Sequence, residues 1–446
     1  MGTRNPSPPP DFSEDLHNVD NIGDTSYSKR WLFSLLLDLL SVMNSSSLNG
    51  EQVEDLDPDM EERLCCLWDL TVNRDILPHL DEFDIVPILA DALTYSRHPR
   101  LLEISAGILA NMAHSPTACQ KMSDMESFID RVLTLFSSRD TPTLTEVCRL
   151  MHTVLSSGDN GSAWLTSLKS QSEFFDNFLF ILRSSTNDSL LIATIRLLDA
   201  ITRGDDHFAE AWCGSDLLDS VLEAQHQMVW LHGSEVEVIH RLFYTFSSTV
   251  TGVGALIKSF DSLLPTFGVY LRKVCEDEPH LIPFSTYYNS LRAIIPVIDS
   301  VVGSLPETEA VSCFSSDRSV LPCLMHITLG CHQQLRDCPL VRGVLADLNI
   351  LFKDVIRSLD GLFHTLTNTL EDQNHTNWLS DLDRPPNAAQ REAFISCLLN
   401  DGGSESRNQL LFVCTILKLP HLLETLDEIA LRSWTDFPCV PLARAG

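Results

Sequence analysis

At 446 residues, with 44% hydrophobic and 21% charged side chains, the chain has the makeup of a soluble globular protein. Its formal net charge of −30 repels phosphate backbones and anionic lipid surfaces at long range, which argues against nucleic-acid and membrane partners. The same acidity suits a basic protein surface, or serves solubility alone.

The 13 cysteines are odd in number and scattered without a Cys-x-x-Cys pair, the usage of reduced intracellular thiols and not of a disulfide framework. The N-terminus has no apolar signal core, which argues against export. Residues 1–26 are polar, acidic and proline-rich and are expected to be disordered. Ser7-Pro8 and the proline run at 8–10 are a kinase or polyproline motif within what otherwise reads as a plain solvated tail. Residues 1–84 carry 18 acidic and 5 basic side chains, so much of the negative charge sits in the first fifth of the chain.

Residues 27–83 read as N-terminal capping helices. The window 31–43 is the most hydrophobic, but it is short and carries Asp38 in its middle, so it reads as a buried helix and not a membrane span. A polar, Ser-rich break follows at 44–54. Asp57-Pro58 has the form of an N-cap followed by proline at the first helical position. Met60, Leu64, Leu67 and Trp68 then form an inward face.

From 84 to 359 the chain reads as helical repeats. In the stretch 98–115, HPRLLEISAGILANMAHS, the residues Leu101, Ile104, Ile108 and Met112 recur at three- and four-residue steps, so one helical face is apolar. Ser105, Ala106, Gly107, Ala110 and Ala113 crowd the same helix. A mid-helix glycine costs about 1 kcal/mol against alanine, and Gly107 predicts another backbone pressed close. The apolar set returns 43 residues on as Leu144, Val147, Met151 and Leu155. Steps of 46 and again 46 give Leu190, Ala193, Leu197, Ile201 and then Val236, Ile239, Phe243, Ser247. The spacing loosens to 52 for Tyr288, Leu291, Ile295, Asp299 and to 53 for Val341, Val344, Leu348, Phe352.

Armadillo and HEAT units repeat at about 40–47 residues, so the first three shifts fit and the last two need insertions. Shorter apolar segments at 84–95, 127–136, 174–182 and 217–229 occupy the intervals, and loops rich in Pro, Asp, Asn or Gly follow each one. No strand-length alternation occurs. The predicted fold class is all-α, an armadillo/HEAT-like α-solenoid of stacked helical repeats, with an irregular helical domain as the alternative. Residues 360–430 are assigned to a C-terminal helical cap and 431–446 to an irregular tail.

No catalytic, metal or cofactor site is expected. Cys323, His326, Cys331 and Cys338 supply zinc-type elements, but knuckle spacing is missing and apolar neighbours make the segment a buried helix. Gly252-Val253-Gly254 with Lys258-Ser259 lacks the glycine before the lysine and a preceding strand, and reads as a helix-linking loop. Neither a Gly-x-Ser-x-Gly elbow nor a His-Glu-x-x-His motif occurs, and His114, His152 and His240 read as loop, surface or core residues.

Solenoids bind along their inner helices, and the contacts proposed there are Asn111, Arg149 and Arg241. In importin-type grooves a Trp and an Asn four positions apart grip an extended basic peptide. Asn111 fits the Asn, but Gly107 stands where the Trp belongs, and the repeat equivalents of Asn111 are Val154, Ala200 and Phe246. Asn111 can instead make an inter-repeat hydrogen bond. Trp164, Trp212 and Trp230 lie at repeat edges, where packing explains them.

Several strings carry a family resemblance: RNPSPPP at 4–10, YSKRWLF at 27–33, MEERLCCLWDLTVNRDI at 60–76, PRLLEISAGILANMA at 99–113 and SSTNDSLLIA at 184–193. Together they resemble the serum amyloid A-like family over about the first half of the chain. The resemblance implies an armadillo-type fold, nuclear residence, a part in supporting cell proliferation, and no catalytic residues. It does not imply lipid binding. The expected function is a non-enzymatic scaffold for a protein partner, basic partners being suited to its charge, in the nucleus with the cytoplasm as a second location. The alternative is an importin-like adaptor recognising basic peptides.

Overall fold

The computed structural model describes residues 20–46, 56–158, 161–228, 234–277 and 284–305, together with Ser316, Asp317, Val320, Cys323, Leu324 and Ile327. The acidic tail through residue 19, Trp230, the repeat expected at 341–352, the C-terminal cap and the final irregular stretch lie outside the described residues. Among the described residues every regular element is helical, apart from one isolated bridge between Asn21 and Ser28. The chain forms two compact units, one of residues 1–208 with 223–229 and one of 209–222 with 230–446.

The first unit begins with α1 (Lys29–Ser46) and α2 (Pro58–Val72). Asp57 Oδ2 accepts from Met60 N at 3.1 Å, so the Asp-Pro pair starts α2 as its chemistry dictates. A 3-10 turn at Arg74–Ile76 leads into three successive helix triplets. The first is α3 (Leu77–Asp81), α4 (Ile85–Tyr95) and α5 (Pro99–Met112). The second is α6 (Pro116–Ser123), α7 (Glu126–Leu135) and α8 (Thr141–Leu155). The third is α9 (Gly161–Lys169), α10 (Phe174–Ser184) and α11 (Asp188–Gly204). Each triplet runs short, medium, long. Side-chain caps set the starts: Asp140 Oδ2 accepts from Thr143 N at 2.9 Å and Asn187 Oδ1 from Leu190 N at 2.8 Å.

The long helices form a row in chain order, with α2 packed on α5, α5 on α8, and α8 on α11. Leu101, Ile104, Ile108 and Met112 are buried, as are Leu144, Val147 and Met151 on α8 and Leu190, Leu197 and Ile201 on α11. Each helix hides its apolar face only on its neighbours, which is the armadillo/HEAT-like arrangement of stacked repeats. The medium helices add aromatic packing: Phe136 stacks on Phe174 at 4.2 Å between centroids and lies 4.8 Å from Phe178. Trp164 is fully buried edge-on to Phe128 and donates Nε1–H to Ser123 Oγ at 3.1 Å.

One expectation about this unit is corrected. A Cβ at Gly107 would overlap the Trp68 indole of α2. The close neighbour is thus a flat aromatic ring from the preceding long helix, not a backbone.

Helices α12 (Asp206–Trp212) and α13 (Ser215–Gln227) contribute residues to both units. The second unit continues with α14 (Ser234–Ser247), α15 (Val250–Asp277) and α16 (Phe284–Ser304), each packed on the other two. Ile239 and Phe243 on α14 and Leu291 and Ile295 on α16 are fully buried, again on the period read from the sequence. Here one helix of 28 residues, with Pro265 inside it, stands where the first unit uses two. The Gly252–Lys258 stretch expected to be a loop forms the first turns of α15, where Thr249 Oγ1 accepts from Gly252 N at 3.0 Å and Ala255 and Leu256 are buried.

Candidate functional site

The row α2–α5–α8 carries a chain of polar side-chain bonds from helix to helix. At its N-terminal side Arg63 on α2 donates Nη1–H to Asp38 Oδ2 at 2.7 Å and Nη2–H to Ser34 Oγ at 3.3 Å, both on α1. Arg100, in the first turn of α5, donates Nε–H to Glu61 Oε1 of α2 at 2.7 Å, Nη1–H to Glu103 Oε2 at 2.8 Å and Nη2–H to Cys65 Sγ at 3.4 Å. Those bonds, led by the one to Glu103, raise the Arg100 pKa above its ordinary value against the opposing effect of burial.

Three turns along α5, Asn111 is buried, with its amide bonded on both sides. Its Nδ2 donates to Thr71 Oγ1 at 3.0 Å and to the Trp68 carbonyl at 3.4 Å. Its Oδ1 accepts from Arg149 Nη1 of α8 at 2.6 Å. Arg149 also donates Nη2–H to the Gly107 carbonyl at 3.0 Å and Nε–H to Glu146 Oε2 at 2.7 Å. Thr143 Oγ1 adds a bond from α8 to the Pro99 carbonyl at 3.2 Å. Burial raises the Glu146 pKa; Arg149 opposes that shift and the like charge of Glu103 adds to it. Burial lowers the His114 pKa, and Arg74 and Arg149 reinforce the shift.

The structure therefore joins Asn111 and Arg149 directly in the first unit, while Arg241 lies half-buried on α14 of the second. The repeat equivalents of Asn111 are buried apolar residues, Val154, Ala200 and Phe246, so no series of asparagines runs along the helices. Sequence reasoning missed Trp68, Arg100, Glu61, Glu103 and Glu146 as members of this surface. One signal was present: Trp68 and Asn111 are 43 residues apart, the same step that relates α5 to α8. Trp68 is half-buried, with its ring against Gly107.

Among the described residues no group of three or more His, Cys, Asp or Glu side chains is placed to hold a metal ion, and no helix is long and apolar enough to cross a membrane. Of the four zinc-type residues, Cys323 is described and buried; His326, Cys331 and Cys338 lie outside the described residues. Trp212 is half-buried at the end of α12.

Stacked helices that share faces with their neighbours, joined by side-chain bonds from one repeat to the next, define a helical-repeat protein. The SAAL1 C-terminal domain model matches residues 174–400, just over half of the sequence, and the chain belongs to the SAAL1 family. It is similar to Protein saal1 of Danio rerio, 35% identical over 292 residues that cover 61% of this chain and 62% of the relative. It is similar also to Protein saal1 of Xenopus tropicalis, 32% identical over 298 residues covering 61% and 64%. The chain thus matches less than two thirds of either relative's length. A solved structure of an engineered protein is 14% identical with a TM-score of 0.49, covering 90% of this chain and 85% of that one. The fold assignment stands on the helix packing itself.

Proposed function

We propose that this chain is a non-enzymatic helical-repeat scaffold that binds a protein partner along the row α2–α5–α8. The observation that carries the reading is half-buried Trp68 with its ring against Gly107, the residue whose carbonyl Arg149 holds, on a row where Arg100 is likewise braced by Glu61 and Glu103. Trp and Arg are the side chains that most often dominate protein interfaces. Side chains already fixed by bonds to their neighbours lose less freedom when a partner arrives. Family membership and the helical-repeat fold support a scaffold, and the overall acidity favours a basic partner surface. Nuclear residence, with the cytoplasm as a second location, and a part in cell proliferation belong to the same proposal; they rest on the serum amyloid A-like resemblance.

The importin-like alternative is less well supported. To hold a peptide backbone, the Asn111 amide would have to give up Thr71, the Trp68 carbonyl and Arg149. The test is affinity capture with crosslinking from nuclear and cytosolic extracts, using the full chain and its Trp68→Ala, Arg149→Ala and Arg241→Ala variants, each checked for helical content. A partner retained by Arg241→Ala and lost from the other two supports the reading. Loss only with Arg241→Ala moves the interface to α14. Equal capture by all four proteins, or none by any, overturns it.

A further inference from the structure

The bonds around Asn111 gather three basic side chains at the C-terminal end of the row α2–α5–α8. Thr71 accepts from Asn111 at 3.0 Å, and Arg74 follows it three residues on, in the 3-10 turn. His114 stands three residues past Asn111 and donates its backbone N–H to the Asn111 carbonyl at 3.2 Å. Arg149 reaches the same amide from α8. Arg74 and His114 are exposed and Arg149 is half-buried. Both guanidinium charges are felt at the His114 ring, and among the described residues no carboxylate opposes them there. In a chain of net charge −30, the local sign is reversed.

Closing the helix end does not occupy the His114 ring. The last carbonyls of α5 are taken by backbone donors, Ala113 N to Leu109 O at 2.9 Å and Ser115 N to Met112 O at 2.8 Å. Arg149 is neutralised by Glu146 at 2.6 Å, whereas Arg74 makes no ion pair with a described carboxylate. One guanidinium is thus left for a ligand. A carboxylate carries one charge and matches it; a phosphate group carries about −1.5 to −2 at neutral pH and exceeds it. Trp68 and Val72 lie one turn apart on α2, with Val72 68% exposed, so an apolar strip leads up to the cluster.

We propose that Arg74, His114 and Arg149 form an anion-binding subsite of the docking row, which takes an aspartate or glutamate side chain of the partner. Arg74 and a ring N–H of His114 hold the carboxylate, and Arg149 adds positive charge from its fixed position. An apolar side chain next to that residue covers Trp68 and Val72. This inference rests on the row being a docking surface. A single acidic residue within a mainly basic partner face fixes register more than it adds attraction.

The experiment uses the full chain labelled with carbon-13 histidine. The His114 ring signal, assigned with His114→Gln, is followed through a pH titration in sodium chloride, sodium formate and sodium phosphate at equal ionic strength. Formate should shift the His114 midpoint upward relative to chloride, because a bound carboxylate favours the charged ring. Arg74→Ala should lose most of that formate shift; its side chain is exposed, and helical content checks the fold. Superimposable curves in formate and chloride overturn the proposal, as does a formate shift that Arg74→Ala keeps in full. A larger shift in phosphate than in formate assigns the subsite to a phosphorylated partner and overturns the carboxylate assignment. If Arg74→Ala does not fold, the wild-type titrations decide alone. No partner is captured in this test, so its failure leaves the docking row standing, and failed capture leaves the formate result standing.

Discussion

Arg149 reaches from α8 to α5 and holds Asn111 by its side-chain oxygen at 2.6 Å while a second nitrogen holds the Gly107 carbonyl at 3.0 Å. One guanidinium thus satisfies a buried amide and a backbone carbonyl one turn apart on the neighbouring helix. The carbonyl belongs to the residue that carries the Trp68 ring.

Replacing Asn111 with alanine should therefore be costly. It removes bonds to Thr71 and Arg149 from a buried position, and hydrogen bonds to charged groups are worth about 1.5–3 kcal/mol each in net terms. We expect Asn111→Ala to lower unfolding stability by about 2–3 kcal/mol, measured by urea denaturation with an unchanged slope. A midpoint equal to that of the wild type would show the bonds are not maintained in solution.

Gly107→Ala should run against the usual helix trend. Alanine normally gains about 1 kcal/mol over glycine inside a helix. Here its methyl overlaps the Trp68 indole, and overpacking costs about 1–3 kcal/mol. The variant should be less stable than the wild type, and the Gly107→Ala, Trp68→Leu pair should recover part of the loss. Strict additivity in the double-mutant cycle would contradict a direct clash.

Acid should weaken the second unit through His240. The ring is fully buried on α14, 4.8 Å from Tyr270 and 5.9 Å from Phe267 between centroids, and burial pushes its pKa down to about 3. Unfolded histidine titrates near 6.5, so the unfolded chain takes up the proton first. The contribution is complete above about pH 6.5 and is lost as pH falls toward 3, at up to about 1.4 kcal/mol per unit. Unfolding of wild type and His240→Phe at pH 7 and pH 5 checks this: the wild type should lose about 2 kcal/mol more than the variant.

Thiol reactivity should follow burial. Burial pushes the Cys148 and Cys213 thiols up to about 12 and leaves neither residue any exposed surface, so iodoacetamide at pH 8 should leave both unmodified in the folded chain. They should react only at the unfolding rate. Labelling of Cys148 within minutes in native buffer would mean that α8 opens far more readily than its packing indicates.

The long helices were legible because three or four turns suffice to show a period of three and four residues, and α5, α8, α11, α14 and α16 all keep it. The short opening helices were not. At 5, 8 and 9 residues, α3, α6 and α9 are too brief for an apolar stripe to declare itself. The joined helix α15 was missed for the opposite reason: glycines at 252 and 254 read as a break, yet the buried Ala255 and Leu256 keep the turn helical. On the candidate site, Asn111 stood out by type, whereas Arg100 with Glu61 pairs across a separation of 39, which matches no repeat step. Gly107 announced a close neighbour, but a missing side chain says only that space is needed, not what fills it.

Because the Asn111 amide bonds to α2 on one side and to α8 on the other, the middle helix of the three cannot peel away alone. Its loss would strand buried donors and acceptors on both flanks. Loosening of the first unit should therefore begin at its margins and travel inward, with α5 among the last helices whose amide hydrogens exchange with solvent.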